Sequence, residues 1–211
     1  MESKRIVAEG YDAIAETYRD WATRAHDEAR SNYTKWLLDH VPAGEPVLDL
    51  GCGSGVPTTL ALAARFRVTG VDISGRHIAL ARAAVPGATF IQADMTALDL
   101  PDDGFAAVAA FYSLIHVPRS EQPALLAAIA QWLRPGGSLV ATMGARPTEA
   151  GYEADWLGAP MYWSSWDSAT NRRLVTDAGF ELVSAQEETA EEHGGPVTFL
   201  WVIARKPSGW A

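Results

Sequence analysis

Three glycines on alternate positions, Gly51, Gly53 and Gly55, follow the apolar run 47–50. Glycine adopts positive φ freely and lets a ligand lie directly against the backbone. The pattern therefore predicts a strand that runs into a nucleoside-binding turn. About twenty residues further on, Asp72 closes the second predicted strand, at the spacing where an acid accepts hydrogen bonds from both ribose hydroxyls. An acid that only caps the end of a strand is the alternative.

The residues after the turn restrict the ligand. A dinucleotide fingerprint needs a small residue where this chain has Val56, and a phosphate loop needs Gly-Lys followed by Ser or Thr. Pro57 also removes a backbone N–H that a pyrophosphate would use. We therefore expect a ligand without phosphates at this turn. An oxidoreductase that uses a nicotinamide dinucleotide is disfavoured.

Four segments, met in one order along the chain, carry a family resemblance: 47–55, 68–74, 92–95 and 133–137. Together they resemble the class I S-adenosylmethionine-dependent methyltransferases, in particular those that act on small molecules. The resemblance is clear over residues 5–145 and looser beyond. It implies S-adenosylmethionine as the cofactor and S-adenosylhomocysteine as the product.

The resemblance also assigns roles around the adenine and the methionine of that cofactor. Asp94 would accept a hydrogen bond from the adenine amino group, with Met95 and Ile73 packed on the ring. Asp49 would hold the glycine turn or the methionine amino group, and Phe111 would lie near the methionine. Either acid could instead cap local backbone N–H groups, and the phenylalanine could be a core residue.

Two tyrosines near the amino terminus complete the predicted cofactor site. Tyr11 and Tyr18 match a Tyr-Asp-x-x-Ala-x-x-Tyr pattern of the family, whose helix folds over the cofactor, although core packing explains them equally well. The predicted cofactor-binding residues are Tyr11, Tyr18, Asp49, Gly51, Gly53, Gly55, Asp72, Ile73, Asp94, Met95 and Phe111.

A methyl transfer of this kind needs alignment of the acceptor and, where the acceptor carries a proton, a base. His116 follows the fourth predicted strand, where the acceptor should approach, and is the candidate base. A role in backbone hydrogen bonding or in lining the pocket is equally open. His193, in an acidic segment, is a weaker second candidate.

Aromatic side chains are concentrated in the segment that follows the fifth predicted strand. They could form the walls of a pocket for a flat or apolar acceptor, because aromatic faces bury a large area with few rotatable bonds. An ordinary packed cap without substrate contact is the alternative. The candidate substrate residues are Trp156, Tyr162, Trp163 and Trp166.

The elements that must position these residues alternate between strands and helices. This order predicts an α/β fold with a doubly wound, Rossmann-like sheet, mostly parallel, with an antiparallel C-terminal hairpin strand and helices on both faces. We expect one methyltransferase domain over 1–211, with an N-terminal helical lid at 1–43 and an aromatic substrate cap at 146–168. The predicted strands are 46–50, 68–71, 88–92, 105–111, 138–143, 180–187 and 197–205, the last two joined by an acidic loop at 188–196.

Composition narrows the functional class further. The 211 residues carry a formal charge of −9, which disfavours a nucleic-acid partner, and the longest apolar stretch is too short for a membrane span. We expect a cytoplasmic protein, since no secretion signal is evident, and no metal, because five scattered histidines and one cysteine form no ligand pattern. The predicted activity is methyl transfer to an oxygen or nitrogen atom of a small organic molecule. A protein methyltransferase and a non-catalytic S-adenosylmethionine-binding protein are the alternatives.

Overall fold

A computed structural model describes residues 2–24, 27–192 and 194–209. Its main feature is a seven-stranded sheet in the order β3-β2-β1-β4-β5-β9-β8, and a separate two-stranded sheet pairs β6 with β7. The first five strands are parallel, while β9 is antiparallel to both β5 and β8. The predicted fold class, a mostly parallel sheet with an antiparallel C-terminal hairpin, is confirmed.

The bounds of the elements are as follows. The strands are β1 (Pro46–Leu50), β2 (Arg67–Asp72), β3 (Thr89–Gln92), β4 (Phe105–Ala110), β5 (Leu133–Gly144), β6 (Thr148–Trp156), β7 (Ala159–Ser165), β8 (Glu181–Glu192) and β9 (Gly195–Arg205). The helices are α1 (Glu2–Arg24), α2 (Glu28–His40), α3 (Thr58–Ala63), α4 (Gly75–Ala84), α5 (Gln122–Trp132) and α6 (Ser168–Asp177). Among the described residues, none of these helices combines the length and the apolar character needed to cross a membrane.

The sheet is covered on both faces, which explains the apolar composition of its central strand. Every residue of β4 is buried, and the core clusters on the two sides of the sheet each take three residues from it. Such a continuous apolar run is typical of a parallel strand with helices on both sides. The strand order reverses direction between β1 and β4, and ligands of open α/β sheets bind at that point, outside the carboxyl ends of the strands.

The two C-terminal strands differ from their prediction. The predicted acidic loop at 188–196 is wrong, because β8 continues to Glu192 and β9 already begins at Gly195. The acids of this segment lie on the edge strand of the sheet, where Glu187, Glu188 and Glu191 are exposed. Charged side chains are common on sheet edges because they discourage pairing with another chain.

The segment 146–168, which was predicted only as a cap, contains the hairpin of β6 and β7. This hairpin packs against α1 through a cluster that includes Val7, Tyr11, Ile14, Trp156 and Met161. The helix comes so close that a Cβ atom at Gly10 would collide with the carbonyl oxygen of Pro160. The amino-terminal helix and the hairpin therefore form one packed layer over the carboxyl edge of the sheet.

Candidate active site

A narrow cleft lies where β1, β2 and β4 end, with α1 across it. We call it the glycine-turn cleft; it encloses a cavity of about 70 Å³. Its lining brings together most of the predicted cofactor-binding residues: Tyr11, Tyr18, Gly51, Gly53, Asp72, Ile73, Asp94, Met95 and Phe111. Lys4, Val7 and His77, which were not predicted, also line it.

The glycine turn has the backbone geometry that its sequence predicts. Gly51, Gly53 and Gly55 all have positive φ, at 76°, 54° and 81°. A Cβ atom at Gly51 would collide with Ser113, whose hydroxyl donates a hydrogen bond of 2.7 Å to the Leu50 carbonyl. Only glycine satisfies both the dihedral angles and the close approach at position 51.

Asp72 fastens the turn to the second strand. One of its carboxylate oxygens, Oδ2, accepts a hydrogen bond of 2.8 Å from the Gly53 N–H, and Oδ1 accepts one of 2.9 Å from the Ser74 N–H. A carboxylate oxygen accepts more than one hydrogen bond, so both oxygens keep capacity for hydroxyl donors from a ligand in the cleft. Asp72 therefore caps the local backbone and also faces the cleft, so the two roles that the sequence analysis gave as alternatives are compatible.

His77 is the functional candidate that sequence reasoning missed. It is 1% exposed, packs against the rings of both Tyr11 and Tyr18, and has its Nδ1 atom 3.7 Å from Oδ1 of Asp72. Within the described ranges, neither ring nitrogen has a hydrogen-bond partner. Buried polar atoms are normally paired, so these nitrogens are available to hydrogen-bond a polar ligand in the cleft. The sequence signal that could have identified His77 was its position three residues after the N-cap Ser74, on the first turn of α4 and therefore close to the end of β2.

The far end of the cleft holds an ion pair. Lys4 on α1 contacts Asp94 with its Nζ atom 2.8 Å from Oδ2, and it also donates hydrogen bonds of 2.5 Å to Glu121 and to the Thr96 hydroxyl. Oδ1 of Asp94 accepts from the Thr96 N–H at 2.9 Å. Burial acts to raise the pKa of Asp94, but the hydrogen bonds from Lys4 and Thr96 hold it below its usual value. Asp94 is thus a charged acceptor that the helix now covers.

A second, larger cavity lies on the other side of the tyrosines. We call it the aromatic cavity; its volume is about 550 Å³, within the usual range for small-molecule sites. It shares four residues with the glycine-turn cleft, namely Tyr11, Tyr18, Tyr112 and His116. Trp156, Trp163 and Phe199 add apolar walls, and Arg30, Arg146 and Glu153 add charge.

Tyr112, in the shared wall, has an uncommon backbone conformation. Its φ is 55°, a value that residues with a Cβ atom adopt only at a cost of about 1–2 kcal/mol. Its ring packs edge-on against Phe199 and Trp201. Strained residues persist where the surrounding structure fixes them and are concentrated at functional sites.

His116 also lies in the shared wall, and its hydrogen bonds define its tautomer. Nδ1 is 2.8 Å from the Tyr162 carbonyl, which can only accept, so Nδ1 carries the proton. Nε2 then accepts from the Tyr11 hydroxyl at 2.8 Å. Burial lowers the pKa of His116 to about 4, so the ring is neutral at pH 7.

Several predicted site residues lie outside the linings of both cavities. Asp49 accepts a hydrogen bond of 2.6 Å from the Thr59 hydroxyl, and burial raises its pKa to about 6. Gly55 packs against α4, where a Cβ atom would lie 3.2 Å from Ala81. His193 lies outside the described residues.

The four candidate substrate residues divide into two pairs. Trp156 and Trp163 line the aromatic cavity, with ring centroids 5.2 Å apart. Tyr162 contributes its carbonyl to His116, while its ring lies outside the cavity lining. Trp166 donates a hydrogen bond to the Arg119 carbonyl and packs against the Arg119 guanidinium, away from both cavities.

Among the described residues, no group of three or more histidine, cysteine or acidic side chains could hold a metal ion.

The fold and the site together define an α/β protein with two cavities, the glycine-turn cleft and the aromatic cavity, on either side of one wall. Comparisons with known proteins agree with that class. A family model described as a methyltransferase domain matches residues 47–137. A phosphatidylethanolamine N-methyltransferase of Cereibacter sphaeroides is 31% identical over 201 residues, which cover 90% of this chain and 96% of that protein. The chain therefore belongs to the S-adenosylmethionine-dependent methyltransferases.

Two further matches extend this finding. A 27-O-demethylrifamycin SV methyltransferase of Amycolatopsis mediterranei is 33% identical over 171 residues, 71% of this chain and 62% of that protein. The crystal structure of Burkholderia thailandensis 1,6-didemethyltoxoflavin-N1-methyltransferase, with 1,6-didemethyltoxoflavin and S-adenosylhomocysteine bound, has a TM-score of 0.74 at 22% identity and covers 98% of this chain. Some other curated relatives are longer, and the chain spans only 32% and 47% of two of them.

Proposed function

We propose that this protein transfers the methyl group of S-adenosylmethionine to an oxygen or nitrogen atom of a small organic molecule. The observation that carries this proposal is the wall common to the glycine-turn cleft and the aromatic cavity. A cofactor in the first and an acceptor in the second would meet at Tyr11, Tyr18, Tyr112 and His116. Two relatives whose names specify small-molecule acceptors, a rifamycin precursor and a toxoflavin precursor, support the same proposal.

The residues of the glycine-turn cleft fit the cofactor. Asp72 and the adjacent His77 would bind the ribose hydroxyls, which would also satisfy the two unpaired ring nitrogens. Asp94 would accept the adenine amino group, and Gly51 and Gly53 would let the remainder lie on the backbone. The cofactor, when bound, supplies an electrophilic methyl group.

The aromatic cavity would supply the alignment that the reaction needs. Holding an acceptor in line with a reacting atom contributes roughly 7–11 kcal/mol at the extreme. Trp163 packs on His116 with ring centroids 4.5 Å apart, and Trp156 stands edge-on to Trp163, so the rings of this wall support one another. Residues 1–43 would act as the lid and 146–168 as the substrate cap of this single domain.

Proton removal, where an acceptor needs it, would run through Tyr11 and His116. The acceptor would pass its proton to the Tyr11 oxygen while Tyr11 passes its own proton to Nε2 of His116. Because the pKa of His116 is about 4, this pair is a weak base. It suits acceptors that ionise readily or that attack without a proton to lose.

Two measurements test the proposal. In calorimetry, S-adenosylhomocysteine should bind the purified protein, whereas NAD should not. Tight NAD binding without S-adenosylhomocysteine binding would overturn the proposal. In a second assay, small phenols, amines, heterocycles and organic acids are screened for release of S-adenosylhomocysteine from S-adenosylmethionine. Cofactor binding without turnover on any acceptor would instead favour the non-catalytic binding protein.

A further inference from the structure

The aromatic cavity contains a buried guanidinium that the proposed reaction does not use. Arg30 lies in the first turn of α2, with 14% of its side chain exposed, and it packs 4.7 Å from the centroid of the Tyr112 ring. An arginine cannot lose its charge in a protein, so this cavity wall carries a permanent positive charge.

The hydrogen bonds of Arg30 leave its outer edge available. Asp27, the N-cap of α2, accepts from the backbone N–H of Arg30 at 2.8 Å and from Nε at 3.0 Å. Among the described residues, neither terminal nitrogen, Nη1 or Nη2, has a hydrogen-bond partner. Asp27 therefore fixes the side chain through one edge of the guanidinium and leaves the other edge for a ligand.

The charges around Arg30 show on which side an anion would bind. The outer groove that it borders is lined by Asp27, Glu28, Glu188 and Glu191, which repel anions. The aromatic cavity, by contrast, has a second arginine in its lining, Arg146, and one acid, Glu153. Because like charges repel and opposite charges attract, an anion is favoured on the cavity side.

We propose that the aromatic cavity takes acceptors that carry a carboxylate, and that the Nη edge of Arg30 binds this carboxylate while the apolar walls bind the rest of the molecule. A carboxylate matches the planar guanidinium in two parallel hydrogen bonds. The tryptophans and Phe199 favour a flat, apolar body. Arg30 is a specificity-determining residue in this proposal, which rests on the proposed function for the identity of the cavity.

The test uses pairs of probes that differ only in charge. Benzoate and benzamide, 4-hydroxybenzoate and 4-hydroxybenzamide, and indole-3-acetate and indole-3-acetamide are titrated into the protein by calorimetry, with and without S-adenosylhomocysteine. Each acid should bind about tenfold to a hundredfold more tightly than its amide, as expected for hydrogen bonds to a charged group. Arg30→Met should abolish this preference, and Arg30→Lys should keep part of it.

Glu153→Gln provides a gain of affinity that misfolding cannot mimic. Among the described residues of the cavity lining, Glu153 is the acid, so its replacement removes a repulsive charge and the acids should bind up to several-fold more tightly. Arg134→Gln, which removes an arginine paired with Glu45 in the remote β5 region, serves as the control and should leave the preference unchanged. Thermal unfolding of each variant checks that the fold is intact.

The possible results separate this proposal from the proposed function. Three results would overturn the carboxylate assignment. They are equal binding of acids and amides, a preference for the acids that survives Arg30→Met, and a Kd above about 1 mM for every acid. Tighter binding of phenylphosphonate than of benzoate would also overturn it, in favour of a phosphate group. Loss of S-adenosylhomocysteine binding would count against the proposed function alone, because the acids are also titrated without it.

Discussion

The glycine-turn cleft is built mainly from the ends of neighbouring strands, whereas the aromatic cavity is assembled from side chains of α1, α2, β6, β7 and β9. In the cleft, Gly51 and Gly53 lie in the turn after β1, and Asp72, at the end of the neighbouring β2, accepts a hydrogen bond from the Gly53 N–H. In the cavity, Arg30, Trp163 and Phe199 come together only when the whole chain has folded. This difference indicates that the geometry of the cleft depends on strand ends that the sheet places side by side, whereas the geometry of the aromatic cavity depends on packing among α1, α2, the hairpin and β9.

The largest effect is expected where the cleft tolerates no side chain. Gly51→Ala should lower the free energy of unfolding by about 4 kcal/mol or more, because it adds a collision with Ser113 to the strain of positive φ. Gly53→Ala is the matched control: its φ is also positive, but the nearest atom to a Cβ, His77 Nδ1, is 4.0 Å away. Strain alone should cost about 1–2 kcal/mol there. Equal losses in urea unfolding would contradict the close approach.

The packed layer of α1 and the hairpin gives the next largest effect. Trp156 is 4% exposed and contacts Tyr11, Tyr18 and Trp163, so Trp156→Ala should lower the free energy of unfolding by about 3–5 kcal/mol. On the same hairpin, Tyr152 is 61% exposed, and Tyr152→Ala should change the free energy of unfolding by less than about 0.5 kcal/mol. If the two variants unfold alike, the hairpin does not pack as described.

Acid should destabilise the shared wall through His116. Burial lowers its pKa from 6.5 to about 4, so the unfolded chain takes up the proton first as the pH falls. The contribution of His116 to the free energy of unfolding is therefore fully present above pH 6.5. It falls by roughly 3 kcal/mol as the pH is lowered from 6.5 to 4. His116→Gln retains a donor for the Tyr162 carbonyl and an acceptor for the Tyr11 hydroxyl, but it does not titrate.

The measurement compares the two proteins by urea unfolding from pH 7 to pH 4. Asp49, whose raised pKa makes stability fall as the pH rises from 4 to 6, is present in both and cancels in the difference. Curves that remain parallel over this range would show that His116 is not buried in its neutral form.

The smallest effect concerns the ion pair over the cleft. Lys4→Met removes the contacts with Asp94 and Glu121, so α1 should open more easily and S-adenosylhomocysteine should associate and dissociate about three- to tenfold faster. Stopped-flow tryptophan fluorescence measures both rates. Arg5→Gln is the control, because Arg5 pairs with Glu9 on the exposed side of the same helix. Identical rates for the two variants would show that the ion pairs of Lys4 do not slow the entry or release of the ligand.

The sequence predicted the sheet because its signals are local. The apolar runs at 46–50 and 105–111, the glycine turn and the acid at the end of β2 each report a strand or its end without reference to distant residues. Asp94, Met95 and Phe111 were likewise predicted near the cleft from family motifs, and they line it. Their roles in binding the cofactor stay predictions.

The aromatic cavity could not be predicted to the same extent. Arg30 carries no local signal, since an arginine in the first turn of a helix resembles any solvated charge until Tyr112 is packed against it. Tyr162 and Trp163 are consecutive on β7, so their side chains point to opposite faces of the hairpin, and Trp166 lies beyond the end of β7 against Arg119. Which of these aromatic side chains faces the cavity depends on how the hairpin packs on the rest of the chain. The unpaired nitrogens of His77 are visible only once its surroundings are known.

The hydrogen bond between Tyr11 and His116 has a thermodynamic consequence for the two cavities. Each partner lines both cavities, so a molecule bound in one cavity contacts side chains that also border the other. If a contact with this shared pair changes the affinity of the second compound, linkage requires the same factor whichever compound binds first. The protein should therefore show cooperative, non-independent loading of its two small molecules.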